Sequence, residues 1–587
     1  MLLRALDLYS GIGGWSLGLQ SAGINVVGSY EIWPEAVATY NANLSKRRRP
    51  ADVRTLDLAI LPKDIDLVVG SPPCTEFSFS NKGGGGNLVE GLKDIVRFLE
   101  IVRFLKPKYW VLENVPRTAL VIEQGLKTEG HPLYRFRSLK PQIKVIDFSR
   151  FGLPQSRRRC LVGNFPFEVL DTYAALMSKR SLGHVLSSLV ASDKVTDPVW
   201  GCSMSGVALT EMEPEPPLDD EQLRMNREAK RFHPVYNDMP FPDRLDSPSR
   251  TVTATCTRVS RESIVIRDHL DGGLRRLTVR ERASLQGFPV TYQFIAKSHS
   301  TKVKMIGNAV PPLFSFLVGM ASREKSLNFV RAKLQKLAKT GLQERPVTTL
   351  SPTPTHSVSD RFPVTRRFCA ALPGLRFKSG MRFELANEFN TSEMRWRVRF
   401  FFGPSKDIKT VDLNRDLLRS IRTKVAFRPV LSALNDTLSA VETFLFALPP
   451  EIIQQSWTRR SEATGPYQIV DLLGLAAADL GTIFELVDSP AIIELSLKLC
   501  GSNVGTYSQG NEKIARNAKQ LIAGFLIGCV FNQTICAKWK SLSQKPDLQA
   551  SRVASQAILQ AEVQRVLSVN PVGLEGAQIL HLAGGVA

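Results

Sequence analysis

The sequence predicts an α/β chain: an open, Rossmann-like sheet with helices on its faces, then a mixed, mostly helical C-terminal region. Three observations predict it. Runs of strand length, such as Leu3–Leu8, Asn25–Tyr30, Ile65–Val69 and Tyr109–Leu112, alternate with helical stretches such as residues 88–105. The first run ends in a glycine-rich turn, Tyr9-Ser10-Gly11-Ile12-Gly13-Gly14, that opens a helix carrying Trp15, Leu17 and Leu19. The third ends in Gly70-Ser71-Pro72-Pro73-Cys74, where two prolines force the chain to turn just past the strand.

Taken in order, these elements outline a ligand site at one sheet edge. Glycines let the backbone approach a ligand, and the following helix N-terminus offers free N–H groups. The spacing departs from GxGxxG, because Gly11 and Gly13 are followed by Gly14 and then Gly18, so no diphosphate is required. Glu31 ends the second strand about twenty positions after the turn, where an acid suits a ribose diol. Asp52 follows a third turn and suits an adenine amino group. A nucleoside ligand is implied, and S-adenosylmethionine fits that description.

Cys74 falls at the C-terminal edge of the sheet, where open α/β sheets place ligands, and is a candidate nucleophile. Lone cysteines are more often buried and inert, so the rest of the chain has to decide. Gly83–Gly86 gives a loop able to close over a substrate, or a plain linker. The strand Tyr109–Leu112 runs into Glu113-Asn114-Val115-Pro116, which brings a carboxylate to the same edge. Strands Ile143–Phe148 and Cys160–Val162 flank Gln155-Ser156-Arg157-Arg158-Arg159.

Bulk composition narrows the class. At 587 residues the chain is too long for one core, and two or three domains are expected. No run of 18 apolar residues appears, and Met1 leads directly into a strand, so neither a membrane span nor a signal peptide is expected. Eight cysteines contain no CxxC pair, which argues against a zinc site or a disulfide framework and fits a reducing, cytoplasmic setting. The net charge of +21 points to a polyanionic partner, most often nucleic acid. Residues 361–428 hold 16 Lys and Arg against six Asp and Glu, whereas 429–587 is slightly acidic.

The ordered blocks resemble the cytosine-C5 DNA methyltransferase family. They are Asp7-Leu8-Tyr9-Ser10-Gly11-Ile12-Gly13-Gly14, Gly70-Ser71-Pro72-Pro73-Cys74, Glu113-Asn114-Val115, Gln155-Ser156-Arg157-Arg158-Arg159, Leu277–Arg282 with Gln286-Gly287-Phe288-Pro289, and Gly307-Asn308-Ala309-Val310-Pro311-Pro312. The resemblance covers residues 1–320 and implies a catalytic domain over 1–164 and 271–340, with a target-recognition segment at 165–270. A Ser/Thr/Pro-rich linker at 341–360 follows, and the resemblance stops before a C-terminal region at 361–587. The family's cofactor is S-adenosylmethionine, and the carried-over contacts are Tyr9, Gly11, Gly13, Glu31, Asp52, Pro73, Asn308 and Val310. One position departs: many relatives place an aromatic after the acid to stack on adenine, and here Ile32 stands there with Trp33 next.

The resemblance also implies a reaction. Cytosine C5 is a poor nucleophile, and adding the Cys74 thiolate at C6 turns it into an enamine-like carbon. Arg157 and Arg159 are the local candidates to favour the thiolate, and their alternation points both to one side of an extended segment. Glu113 shares a proton with N3 of the ring. The target base is flipped out of duplex DNA, and Ser78 and Thr251 are carried over as substrate contacts. A restriction endonuclease or defence-system partner belongs to this reading. Two alternatives stand beside it: a tRNA-methylating enzyme of the same family, whose first block is worded alike, and a catalytically silent DNA-binding regulator.

Beyond the linker, Arg395-Trp396-Arg397-Val398-Arg399-Phe400-Phe401-Phe402 alternates charge and apolar bulk at strand period. Either a basic sheet face for phosphate binding or a solvated strand over a small core accounts for it. Residues 429–587 read as helical, including Ile514–Phe531.

Overall fold

Strand β1 (Arg4–Leu8) is central to the N-terminal half, paired in parallel with β2 (Asn25–Tyr30) on one side and β3 (Leu67–Gly70) on the other. In the computed structural model, the described residues are 2–44, 47–73, 87–190, 193–231, 239–254, 257–268 and 272–342. Further on they are 362–377, 381–389, 394–402, 409–411, 413, 416–446, 448, 450–459, 465–500 and 509–542. Strand β4 (Tyr109–Asn114) pairs in parallel with β3, and the sheet is completed by β5 (Gln142–Asp147) and β6 (Arg158–Asn164) in the order β2-β1-β3-β4-β6-β5. Strand β6 runs against both neighbours. Only a short 3-10 turn and loop separate β5 from β6, too little chain for a crossover helix, so the chain doubles back as a hairpin.

Helices cover both faces, as the apolar runs predict. Strand β3 is buried along its whole length, the pattern of a strand with both faces covered. Helix α1 (Gly14–Ser21) follows the glycine turn, α2 (Pro34–Asn43) starts with Pro34 in its first turn, and α3 (Leu88–Leu105) is capped by the Asn87 side chain. Helix α4 (Arg117–Lys127) follows β4.

The sequence predicts one amphipathic helix from Leu313 to Leu337; the structure has two. Helix α7 (Pro312–Ser322) is buried at every residue, and α8 (Leu327–Thr340) is mostly exposed. Between them Glu324 takes a left-handed φ of 51°, and Ser326 caps the second helix. Before them lie α5 (Val279–Leu285), with a Thr278/Glu281 capping box, and α6 (His299–Asn308). The stretch His299–Ser322 has the length and apolar character of a membrane span, but 94% of its most apolar window is buried in this unit, so it is core.

The intervening segment is built from small pieces: a ladder of Lys194–Thr196 with Ser203–Ser205, a helix at Asp220–Arg231, and a ladder of Val265–Arg267 with Leu274–Arg276. Glu215 is buried there and pairs with Arg276 and with Arg258, the latter at 3.1 Å.

By compactness the chain divides into two units, the first holding residues up to 356 apart from 233–237 and the second beginning at 357. In the second unit an antiparallel sheet of β7 (Cys369–Arg376), β8 (Arg382–Phe389), β9 (Met394–Phe402) and β10 (Lys409–Val411) precedes a helical region. Trp396, Val398 and Phe400 turn inward with Phe383 and Leu385, against a long helix at Ala518–Leu542 whose Asn532 side chain bonds both the N–H and the C=O of Val398. The opposite face carries Arg395, Arg397 and Arg399, as the alternation predicts. It is not a bare cationic face: Glu388 of β8 pairs with Arg397 at 2.6 Å and Arg399 at 2.9 Å, and Glu384 pairs with Arg382.

Candidate active site

The site grows from the carboxyl ends of β1, β2, β3 and β4. Past β1, Tyr9 and Gly11 both take left-handed φ values, 56° and 52°. A Cβ built on Gly11 would meet nothing within 4 Å, so the turn faces open space. Gly14 is constrained differently: a Cβ there would lie 2.0 Å from the carbonyl oxygen of Val310. That close approach brings Val310, and with it Asn308 at the exposed end of α6, onto the glycine turn.

Glu31 ends β2 and braces the same turn. Its Oε2 accepts from the Gly11 N–H and its Oε1 from the Trp33 N–H, each at 2.8 Å. An ionised carboxylate has about four lone-pair sites, so acceptor capacity remains for a diol. The Ala51 N–H donates to the Glu31 carbonyl at 2.8 Å, which sets Asp52 alongside. Asp52 accepts from the Arg54 N–H at 2.9 Å. Ile32 is 60% exposed at this edge, whereas Trp33 packs among core residues beneath the Lys304 ammonium, 5.2 Å from its ring. An open glycine cradle, two carboxylates and an exposed aliphatic platform fit a nucleoside with a polar tail, such as S-adenosylmethionine.

The end of β3 is tied on both sides. Ser71 Oγ accepts from the Trp15 indole N–H at 3.0 Å, and the Pro72 carbonyl accepts from Asn114 Nδ2 at 3.0 Å. Pro72 is buried and Pro73 is exposed at the site. Cys74 and Ser78 lie outside the described residues.

Glu113 is buried at the end of β4, and Arg159 of the adjoining β6 reaches it with Nε 3.0 Å from Oε1. Burial and the Glu113 charge push the neighbouring Cys160 thiol up to about 12, which leaves it inert as a nucleophile at neutral pH.

Arg157 departs from expectation. Rather than lining one side with Arg159, its buried guanidinium donates to the carbonyls of Val252 (3.1 Å), Gly307 (3.1 Å) and Ala309 (3.2 Å). The reason is backbone placement: β6 begins at Arg158, while residue 155 forms a separate bridge to Ser249, so strand alternation does not extend back through Arg157. Thr251 shares this seam. Its hydroxyl donates to the Ser156 carbonyl at 2.7 Å, and the Val252 N–H donates to Gln155 Oε1 at 2.9 Å. Arg157 therefore fastens the end of the intervening segment to the turn carrying Asn308.

Sequence reasoning gave no role to two residues at this site. Asp94 of α3 accepts from the Tyr9 hydroxyl and from Arg54, and Gln286 bonds Gln155 Nε2 at 2.6 Å. Asp94 shares its stretch of α3 with Glu90, Lys93, Arg97 and Glu100, and nothing in that polar pattern sets it apart in the sequence.

Comparison with known proteins places the chain in a family. Residues 3–171 and 213–321 match the C-5 cytosine-specific DNA methylase family. The type II methyltransferase M.AplI of Arthrospira platensis is 31% identical over 322 residues, covering 53% of this chain and 83% of that protein. M.HgiDI of Herpetosiphon aurantiacus is 28% identical over 344 residues, covering 57% of this chain and 98% of that protein. Among solved structures, a putative DNA modification methyltransferase encoded within an E. coli prophage is 20% identical, with a TM-score of 0.41, covering 55% of this chain and 99% of that one.

Proposed function

Because the chain belongs to the C-5 cytosine-specific DNA methylase family and is a DNA cytosine-5 methyltransferase, we propose that it methylates a flipped cytosine of duplex DNA through a covalent Cys74 adduct. S-adenosylmethionine, when bound, supplies an electrophilic methyl group. The side chains of Tyr9, Glu31, Asp52 and Asn308, with the backbone around Gly11, Gly13, Pro73 and Val310, would hold it. The Cys74 thiolate adds to C6, and the electron pair displaced from the C5–C6 double bond moves toward N3. Glu113 holds a proton at N3, and Arg159 fixes the Glu113 carboxyl in place. With the cofactor bound, C5 would take its methyl group and S-adenosylhomocysteine would be left. Loss of the C5 proton to a base, water in this reading, restores the double bond and expels the thiolate.

Flipping the base costs a few kcal/mol, which contacts from the 165–270 segment, Ser78 and Thr251 would offset. M.AplI and M.HgiDI are type II methyltransferases, and we place this chain in the same restriction–modification setting, with a cognate endonuclease as its partner.

The observation that carries the reading is the Glu113–Arg159 pair at the sheet edge, beside an Asn114 that bonds the carbonyl two residues before Cys74. The test is transfer of labelled methyl to unmethylated duplex DNA and, in parallel, to tRNA, with Cys74→Ala as control. Label in DNA that disappears with Cys74→Ala is the expected result. Label confined to tRNA, or label in DNA that survives Cys74→Ala, overturns it.

A further inference from the structure

We propose that Asp94 is a positioning residue for the cofactor, holding together the two loops that carry Tyr9 and Asp52. The inference rests on the cofactor site assigned above and adds a group that does not itself touch the ligand.

Asp94 is only 4% exposed, on the second turn of α3. Its carboxylate is gripped by both prongs of one guanidinium: Arg54 Nε donates to Oδ1 at 2.8 Å and Nη2 to Oδ2 at 2.7 Å. A two-pronged pair of this kind fixes direction as well as distance. The Tyr9 hydroxyl donates to the same residue, 3.3 Å from Oδ1 and 3.2 Å from the Asp94 carbonyl. One buried acid thus joins a residue of the turn after β1 to a residue two positions past Asp52.

Neighbouring contacts make the joint specific. Asp52 accepts from the Arg54 N–H at 2.9 Å, so the arginine that reaches Asp94 belongs to the same small turn as the carboxylate facing the ligand. Arg97, one turn further along α3, donates from Nε to the Val53 carbonyl at 3.0 Å and from Nη2 to the Leu56 carbonyl. Arg54 also meets Glu90 at 2.6 Å, but Glu90 is 41% exposed and that bond is screened by water. Tyr9 has a left-handed backbone, a conformation that is costly for a non-glycine residue and persists only where its surroundings hold it. Its hydroxyl anchor on Asp94 is such a hold.

The consequence is pre-organisation. With Asp94 in place, both walls of the nucleoside cradle are set before binding. Without it, the walls must order as the ligand arrives, which weakens affinity and leaves the bound complex unchanged. The expected signature is therefore a change in cofactor affinity with turnover at saturation preserved.

The test uses the full chain with Asp94→Asn, Arg54→Met and the double variant. Titration calorimetry with S-adenosylhomocysteine gives Kd, and methyl transfer to duplex DNA gives KM for S-adenosylmethionine and kcat. Each single variant is expected to raise Kd and KM about tenfold, equivalent to about 1.4 kcal/mol, with kcat and the KM for DNA at wild-type values. The double variant should be no worse than either single one, because both remove the same joint. Arg54→Lys should recover part of the loss. Arg54 is 38% exposed, so its variants keep the proposal testable if Asp94→Asn folds poorly. Unchanged Kd in the Arg54→Met protein, a loss confined to kcat, or additive effects would overturn the inference. A wild-type chain that binds neither ligand would instead overturn the cofactor assignment on which it rests.

Discussion

Replacing Asp7 by asparagine should change how stability depends on pH, and the size of the change follows from where Asp7 sits. The side chain is fully buried in the central strand, with Oδ2 accepting from Ser16 Oγ at 2.6 Å and Ser16 in turn bonded to Ser29 and Tyr40. Burial raises its pKa from 3.8 to about 7, outweighing the Ser16 hydrogen bond. The folded carboxyl is thus raised above its unfolded value. Its contribution is fully present below about pH 4 and is lost as the pH climbs through 7, because the unfolded chain ionises while the folded one must stay protonated. A shift of this size corresponds to about 4 kcal/mol in total, of which roughly 3 kcal/mol falls between pH 5 and pH 8. Asparagine keeps an acceptor for Ser16 and does not titrate. It adds an amide donor whose cost, about 1–3 kcal/mol, is the same at both pH values and cancels from the comparison. Urea unfolding read by hydrogen exchange of the peptide spanning Leu6 to Trp15 isolates the right unit. The stability of Asp7→Asn relative to wild type should rise by about 3 kcal/mol from pH 5 to pH 8. A relative stability that is the same at both pH values would refute the reasoning, since it would mean the folded carboxyl titrates like an unfolded one.

Two further outcomes follow from the packing. Arg157→Met should destabilise the first unit by about 2–6 kcal/mol, because the buried carbonyls of Val252 and Gly307 lose a donor, at about 1–3 kcal/mol each, while that of Ala309 keeps Gln286 Nε2, and the urea midpoint of that unit reads the loss. Gly14→Ala should cost about 2–3 kcal/mol and weaken S-adenosylhomocysteine binding in calorimetry, because its Cβ would press on the Val310 carbonyl, a backbone atom that cannot rotate away.

The glycine turn, Glu31 and Glu113 were legible in the sequence because each sits at the end of a strand whose apolar run is itself a local signal. Arg157 was not, since its partners lie 95 to 152 residues away, and chain neighbours suggested Arg159 as its companion. The break between α7 and α8 is not legible because Arg323-Glu324-Lys325 is composed of residues that a continuing helix also accepts. Asp94 was hidden for a similar reason: an acid on a periodic helix looks solvent-facing until the Arg54 turn is seen to fold over it. On β9, the arginine alternation showed the face correctly, but the carboxylates that offset it, Glu384 and Glu388, belong to another strand and emerge only with the cross-strand register.

The contact between Gly14 and Val310 has a consequence for how the protein is made. Helix α1 leaves the ribosome well before the segment that covers it, which is synthesised about 300 residues later, an interval of roughly 15–60 s at ordinary translation rates of ~5–20 residues/s. Through that interval the surface of α1 that α7 will bury, Leu19 included, is without its final cover. The cofactor cradle is likewise without the residues around Val310. Birth order and burial order are opposed in this fold, and the earliest moment at which a new chain can hold its cofactor is set by the arrival of its sixth sequence block.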